Sequence, residues 1–469
     1  MSPSKTAATE VPTHSKDLDN YLTTTKDLNT LSDESILKLG LSKPAIYPPN
    51  RKITMEADPN SESVKGWQNA TLLLMAVLAL REGLKNYAQF DGLYIPGYQW
   101  LVNLLLEHIQ CYAIAGVRMM FCVCHLLAQK IYQKKIIPFW GHFLIYGLIQ
   151  YFGITISLSY LPASFSVPTR IDFMVAQIII TLKMHSYFAT NNLLDRQLTL
   201  LESNPSFAGK VKDSFFKKMK VQNMYPFNLT VKDFGYFAMV PTLSYETRFP
   251  VKKNFDWLAI VQYTLGFVFW FTSMCFAFAQ LVLPQLVGRS GNFVYDLIQI
   301  TPCCFLCWLV FFYAYFKFQL NLCAEWLKFD DKRFYDDWWN SKDLAEFWKK
   351  WNIPVHEWCL RHVFVESRYY LKFSSPLAVF SVFFLSAVLH EVIFSYGFSV
   401  LRAWGFIGMI IQFPFVVLGR VLKVHPKFGN LNMWVGPMIG NALALIIYFS
   451  EFWENNYAGV DVNSLRTKL

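Results

Sequence analysis

"PLAVFSVFFLSAVLHEVIFSYGF", residues 376–398, decides the fold class. It is an apolar run long enough for the about 20 residues a helix needs to cross a bilayer, yet it carries His390 and Glu391 in its middle. Ionisable groups at that depth cost about 2.5–3.5 kcal/mol each on insertion scales, so they face a protein interior or a watery cavity. Both are candidate functional groups. The plain alternative is a neutral histidine hydrogen-bonded to Ser386, one helical turn back on the same face, or to another helix.

The rest of the chain has the same character. Its 469 residues are 54% hydrophobic and 16% charged, with a mean hydropathy of +0.26, whereas soluble domains carry about 25% charged residues. The chain is expected to be an all-α, polytopic membrane protein with no internal repeat. Apolar runs near 67–88, 97–127, 138–162, 170–192, 255–285, 294–323, 376–398, 401–421 and 431–453 predict about nine transmembrane helices. Lys and Arg gather in alternate loops: Lys130, Lys134 and Lys135; Lys210 to Lys220; Lys328 to Lys372; Arg420, Lys423 and Lys427. By the positive-inside rule this places the N-terminus in the cytosol and, after nine spans, the C-terminus on the luminal side. The net charge of +10 follows mainly from that topology and gives no support for nucleic-acid binding.

Residues 1–65 are rich in Ser, Thr, Asp, Lys and Pro and read as a disordered cytosolic tail. They show neither a cleavable signal peptide nor a myristoylation signal, so insertion is expected to use an internal segment. Residues 66–458 form the membrane domain, and 459–469 a short C-terminal tail. Nine cysteines sit mostly within apolar runs; the cluster Cys303, Cys304 and Cys307 reads as helix packing, and neither a disulfide nor a metal site is expected.

A second stretch, "RFYDDWWNSKDLAEFWKKWNIPVHEWCLRHVF" (333–364), is too charged to span, yet it holds five of the fifteen tryptophans. Leu344, Phe347, Trp348 and Trp351 recur at helical spacing, which predicts an amphipathic helix along the membrane surface. An interfacial anchor explains the tryptophans alone. "FYDDWWN", however, concentrates acids, aromatics and Asn340 beyond what an anchor needs.

"FYDDWWN" followed about fifty residues later by a histidine inside an apolar helix resembles the membrane-bound O-acyltransferases, in particular the branch of diacylglycerol and sterol O-acyltransferases. "LKMHSYFATN" (182–191), "PTLSYETRFP" (241–250), "NLCAEWLKFDDKRFYDDWWN" (321–340), "WNIPVHEW" (351–358) and "SAVLHE" (386–391) look like family landmarks in family order. The resemblance covers most of 67–455. It implies a helical fold with surface helices around an intramembrane reaction chamber, and an endoplasmic reticulum enzyme that moves a fatty acyl group from acyl-CoA to a lipid hydroxyl. It also implies a homodimer or homotetramer among membrane lipids. No cofactor is implied, acyl-CoA being a substrate.

By the same resemblance His390 is the catalytic histidine, and Phe334, Tyr335, Trp338, Trp339 and Asn340 help bind and position acyl-CoA. His356 belongs to that wall, although locally it reads equally as a structural hydrogen-bonder. Glu391 lies beside the base in the substrate region. The chemistry suits these residue types: ester formation from a thioester needs a base for the hydroxyl proton, a task for neutral imidazole. Charge growing on the thioester oxygen calls for a donor, and Asn340 and Gln412 are candidates. Lys349, Lys350 and Arg361 are available in sequence for the CoA phosphates.

The acceptor is a narrower question. "LRAWGFIGMIIQFP" (401–414) and "HEWCLRHVF" (356–364) look closer to type 1 diacylglycerol acyltransferases, which implies that Gln412 faces the acceptor and that the product is triacylglycerol. Asn441 stands where that branch typically shows Gln, and "KMHSY" and "WNIPVH" are similar to sterol enzymes, so a sterol O-acyltransferase stays open. A proton-coupled transporter using His390 and Glu391 is the reading from another class, but the paired, broken spans usual in such proteins are not evident.

Overall fold

In lipid every backbone N–H and C=O must be satisfied within the segment, so apolar runs of this length become helices. The computed structural model describes residues 73–78, 80–85, 87–88, 98–162, 164–203, 225–421 and 426–457. The two tails, 1–65 and 459–469, lie outside them. Six described helices are long and apolar enough to span: Val102–Gln133, Phe139–Ser159, Trp257–Val287, Phe293–Trp326, Ser375–Phe398 and Phe428–Tyr457. They coincide with six of the nine expected runs.

The expected count of nine is not reached among the described residues. The run at 170–192 lies inside Val167–Ser203, a 37-residue helix that carries Asp172, Lys183, His185, Asn191 and Asp195. At about 1.5 Å per residue it is about 55 Å long, well beyond a hydrocarbon core of about 30 Å. The run at 401–421 breaks at Ile411 into Trp404–Ile410 and Gln412–Val421, and its apolar part, Trp404–Gly419, is short for a span. The run at 67–88 is only partly described. The side of the membrane on which the C-terminus lies therefore rests on loop charge alone.

Among the described residues there is no strand, only an isolated antiparallel bridge between Val251 and Phe329. Beside it Glu325, 1% exposed, accepts from Lys252 Nζ at 2.9 Å and from Lys332 Nζ. The loop after Met239 is held by Lys183, whose Nζ donates to the carbonyls of Val240 and Thr242, both at 2.6 Å. Buried charge is thus matched to partners, as a low-dielectric interior requires.

The helix Ser375–Phe398, hereafter the histidine helix, packs chiefly against Trp404–Ile410 and the long helix Val167–Ser203. Two glycines allow that approach. A Cβ on Gly397 would collide with the Ile171 side chain, and one on Gly405 would sit 2.9 Å from Phe394 Cδ2 and 3.3 Å from Glu391 Cα. Among the described residues three helices contain a wide π turn, at Phe278–Val282, Tyr313–Gln319 and Leu360–Val365.

Candidate active site

His390 lies in a regular part of the histidine helix and is partly buried. Its Nδ1 is 2.7 Å from the Ser386 carbonyl and 3.5 Å from the Ser386 hydroxyl. A carbonyl only accepts, so the close bond places the ring proton on Nδ1 and leaves Nε2 as the basic nitrogen of the neutral ring. The bond to Ser386 expected from the sequence is thus made at close range to its backbone carbonyl, and it fixes the orientation of the ring. Among the described residues no side chain bonds Nε2.

Glu391 has a different fate. Its carboxylate, 8% exposed as a residue, accepts from the Ser395 hydroxyl at 2.5 Å, Ala403 N–H at 3.1 Å, Phe406 N–H at 3.2 Å and Tyr448 O–H at 2.6 Å. Ala403 and Phe406 lie at the start of Trp404–Ile410, whose orphan amide protons the carboxylate satisfies. Tyr448 comes from the last helix and also accepts from Gly405 N–H at 2.9 Å. Glu391 is thus a three-helix clamp beside His390, with its acceptor capacity turned to the protein. Sequence reading missed Tyr448, because 57 residues separate it from Glu391 and a tyrosine among the other aromatics of an apolar helix carries no local signal.

The aromatic loop is held just as firmly. Phe334, Tyr335 and Trp338 are 1%, 1% and 0% exposed and lie in the largest core, with Phe312, Phe347, Tyr187 and Met433. Trp338 packs edge-on against Trp308 and Trp351, which stack on each other at 4.6 Å and 10°. Each of these three rings, expected to help bind and position acyl-CoA, is enclosed by protein and shapes the loop without presenting an open surface. Trp339 is half-buried and Asn340 exposed, at the end of the 3-10 turn Trp338–Asn340. Asn430 Nδ2 pins this turn through the carbonyls of Trp339 and Ser341, at 3.1 and 2.8 Å.

The amphipathic helix is Leu344–Trp351, with Asp343 capping it through Glu346 N–H at 2.8 Å. Its tryptophan reaches the acceptor candidate: Trp348 Nε1–H donates to Gln412 Oε1 at 2.9 Å, while Gln412 Nε2 donates to the Gly408 carbonyl at 3.1 Å. His356 is half-buried on Ile353–Cys359. Asn441 is exposed and donates to the Pro437 carbonyl at 2.7 Å. Among the described residues no hydrogen bond joins Asn340, Gln412 or Asn441 to His390.

The cations expected to meet CoA phosphates divide. Lys350 pairs with Asp337 at 2.9 Å and Glu346 at 2.7 Å, and Arg361 pairs with Glu246. Lys350 and Arg361 are thus already paired within the protein, and Lys349 is exposed. Arg333 bonds Asp336, and that bond, opposed by burial, raises the guanidinium above its ordinary value.

Relatives now bear on this geometry. The human diacylglycerol O-acyltransferase 1 is 32% identical over 293 residues, 61% of this chain and 58% of its own. The rice diacylglycerol O-acyltransferase 1-1 is 33% identical over 291 residues, 58% of this chain and 51% of its own. The soybean diacylglycerol O-acyltransferase 1B is 25% identical over 447 residues, 90% and 84% of the two chains. The alignments thus span a little over half the length of the human and rice proteins. The pattern of the membrane-bound O-acyltransferase family matches residues 173–450, a segment that holds the long helix from Phe173 onward, the aromatic loop, the histidine helix and Tyr448. Since that match covers more than half of the chain, this protein belongs to the membrane-bound O-acyltransferase family.

Proposed function

We propose that the chain is an acyl-CoA-dependent acyltransferase that esterifies the free hydroxyl of diacylglycerol to give triacylglycerol. The observation that carries the reading is the tautomer of His390, a neutral intramembrane base with its acceptor nitrogen presented away from its own helix. Nε2 takes the hydroxyl proton as the alcohol oxygen attacks the thioester carbonyl. The tetrahedral intermediate then collapses, the C–S bond breaks, and the imidazolium returns the proton to the departing sulfur, releasing ester and free CoA. The Glu391 clamp fixes the turn of helix that holds the ring. Trp339, Asn340, His356 and Lys349 form the donor side, with Asn340 the donor to the thioester oxygen, and the Trp348–Gln412 pair and Asn441 form the acceptor side.

The names of the human, rice and soybean relatives favour diacylglycerol. Asn441, at a place where Gln is expected in that branch, favours the second reading, a sterol O-acyltransferase. On either reading the enzyme works as a homodimer or homotetramer in the endoplasmic reticulum membrane. The test offers purified protein oleoyl-CoA with diacylglycerol and sterol at equal mole fraction, and separates the lipid products. Triacylglycerol should predominate; a predominance of steryl ester overturns the acceptor assignment and leaves the donor and His390 in place.

A further inference from the structure

A second cluster of chemistry-bearing side chains lies where the long helix Val167–Ser203 meets the π turn Leu360–Val365. His362, in that turn, places Nδ1 2.9 Å from Glu366 Oε1. His185, from the long helix, places Nε2 3.9 Å from Glu366 Oε2. The three potential ligand atoms lie within 4.8 Å of one another. Each outer nitrogen already has a hydroxyl. His362 Nε2 is 2.7 Å from Ser186 Oγ, which itself accepts Tyr245 N–H at 2.8 Å, and His185 Nδ1 is 3.4 Å from the Tyr146 hydroxyl.

These contacts leave room for more than an ion pair. If the outer nitrogens donate to the hydroxyl oxygens, the lone pairs of His185 Nε2 and His362 Nδ1 both point at the carboxylate. Three acceptors turned on one point repel unless a cation lies between them. With metal–ligand bonds of about 2.0 Å, a tetrahedral site has ligands about 3.3 Å apart, a value bracketed by the 2.9 and 3.9 Å observed. The hydroxyls of Ser186 and Tyr146 stand where outer-shell partners of metal-bound imidazoles stand. Trp358 walls the cluster, with ring centroids 5.6 Å from His185 and 5.5 Å from His362.

We propose that His185, His362 and Glu366 bind one divalent transition-metal ion, of which Zn2+ is the type, as a two-histidine, one-carboxylate site that ties the long helix to the π turn. Imidazole nitrogens with one carboxylate suit zinc better than magnesium or calcium. The π turn also packs on the histidine helix, so the ion would brace the scaffold behind His390 without touching the reacting atoms. The proposal departs from the expectation of no metal drawn from sequence, where the ligands show no metal-binding spacing.

The experiment strips the purified full-length protein with EDTA, loads it with Zn2+, and reads stoichiometry by elemental analysis and affinity by competition with a chromophoric chelator. About one zinc per chain should bind, with a raised unfolding midpoint, since a ligand for the folded state stabilises it. Glu366→Gln, His185→Ala and His362→Ala should lose it, Tyr146→Phe should bind about tenfold more weakly, and His390→Ala should keep it. Co2+ loading of the unaltered protein, read by visible absorption, reports imidazole ligation even where a histidine variant does not fold. Absence of stoichiometric zinc, a Co2+ spectrum without imidazole ligation, or retained affinity in Glu366→Gln would each overturn the proposal. A histidine brace held by a shared proton alone gives the first of these results. Because the readout uses no acyl-CoA and no acceptor, its failure is distinct from failure of the acyl-transfer reading.

Discussion

The aromatic loop and the histidine helix carry the two motifs on which the family resemblance turns, and the structure treats them in opposite ways. In the loop nearly every polar or aromatic group is committed to the protein: Trp338 to the core, Arg333 to Asp336, Lys350 to Asp337 and Glu346. In the histidine helix the clamp is equally committed through Glu391, but the neighbouring His390 uses only one nitrogen, on its own helix. A shared motif thus has two meanings. One builds the wall and the other leaves a single atom available for chemistry.

The contrast is broken most directly at His390. His390→Ala should lower ester synthesis by about 10²-fold or more, the usual worth of a positioned base, while the protein purifies as the same oligomer with an unchanged unfolding midpoint. Retention of a tenth of the activity would place the base elsewhere. Trp338→Ala should do the reverse. Emptying a fully buried indole site costs about 3–5 kcal/mol, so a large fall in the unfolding midpoint should accompany or precede any loss of turnover. Trp339→Ala, at the half-buried neighbour, should raise the acyl-CoA KM with little change in stability. If Trp338→Ala folded normally and changed only the acyl-CoA KM, the ring would belong to the donor site after all.

Two smaller changes sharpen the comparison within the clamp. Tyr448→Phe removes one of four donors to a buried carboxylate and should cost about 1–3 kcal/mol of stability, with kcat falling more than either KM if the clamp holds His390 in register. Unfolding midpoints and a kinetic split measure the two effects; an equal rise in both KM values would argue for a binding role. Ala403 holds φ at 58°, a left-handed conformation that glycine adopts freely. Ala403→Gly should therefore stabilise slightly, by about 1 kcal/mol or less, with turnover unaffected, and a measurable loss would show that the Cβ has a partner.

Much of this architecture is legible along the chain, because lipid forces apolar runs into helices and six of those runs appear as described spans. The loop and its amphipathic helix are also legible, since Leu344, Phe347, Trp348 and Trp351 repeat at helical spacing. What is not legible is the direction in which an aromatic side chain looks. Trp338 and Trp339 are adjacent, with the same composition around them, and only the packing of Trp308, Trp351 and Trp434 decides that one is core and the other partly open. Pairings across the fold are equally hidden. Glu391 meets Tyr448, and His185 meets Glu366, through helix contacts for which the sequence gives no local spacing. The long helix was readable as a span only by discounting its polar residues, and those residues hold the further cluster.

The three π turns have a consequence for how chain length can vary. A regular helix advances its faces by about 100° per residue, so inserting or deleting one residue swings every later side chain to a new direction. A π turn accommodates one more residue in its loop of backbone than an α turn. A single deletion within Tyr313–Gln319 could thus relax that turn to α geometry and leave the phase of Leu320–Trp326 intact. Among the described residues, each of these turns is a place where the chain can change length by one without disturbing the order of its helical faces.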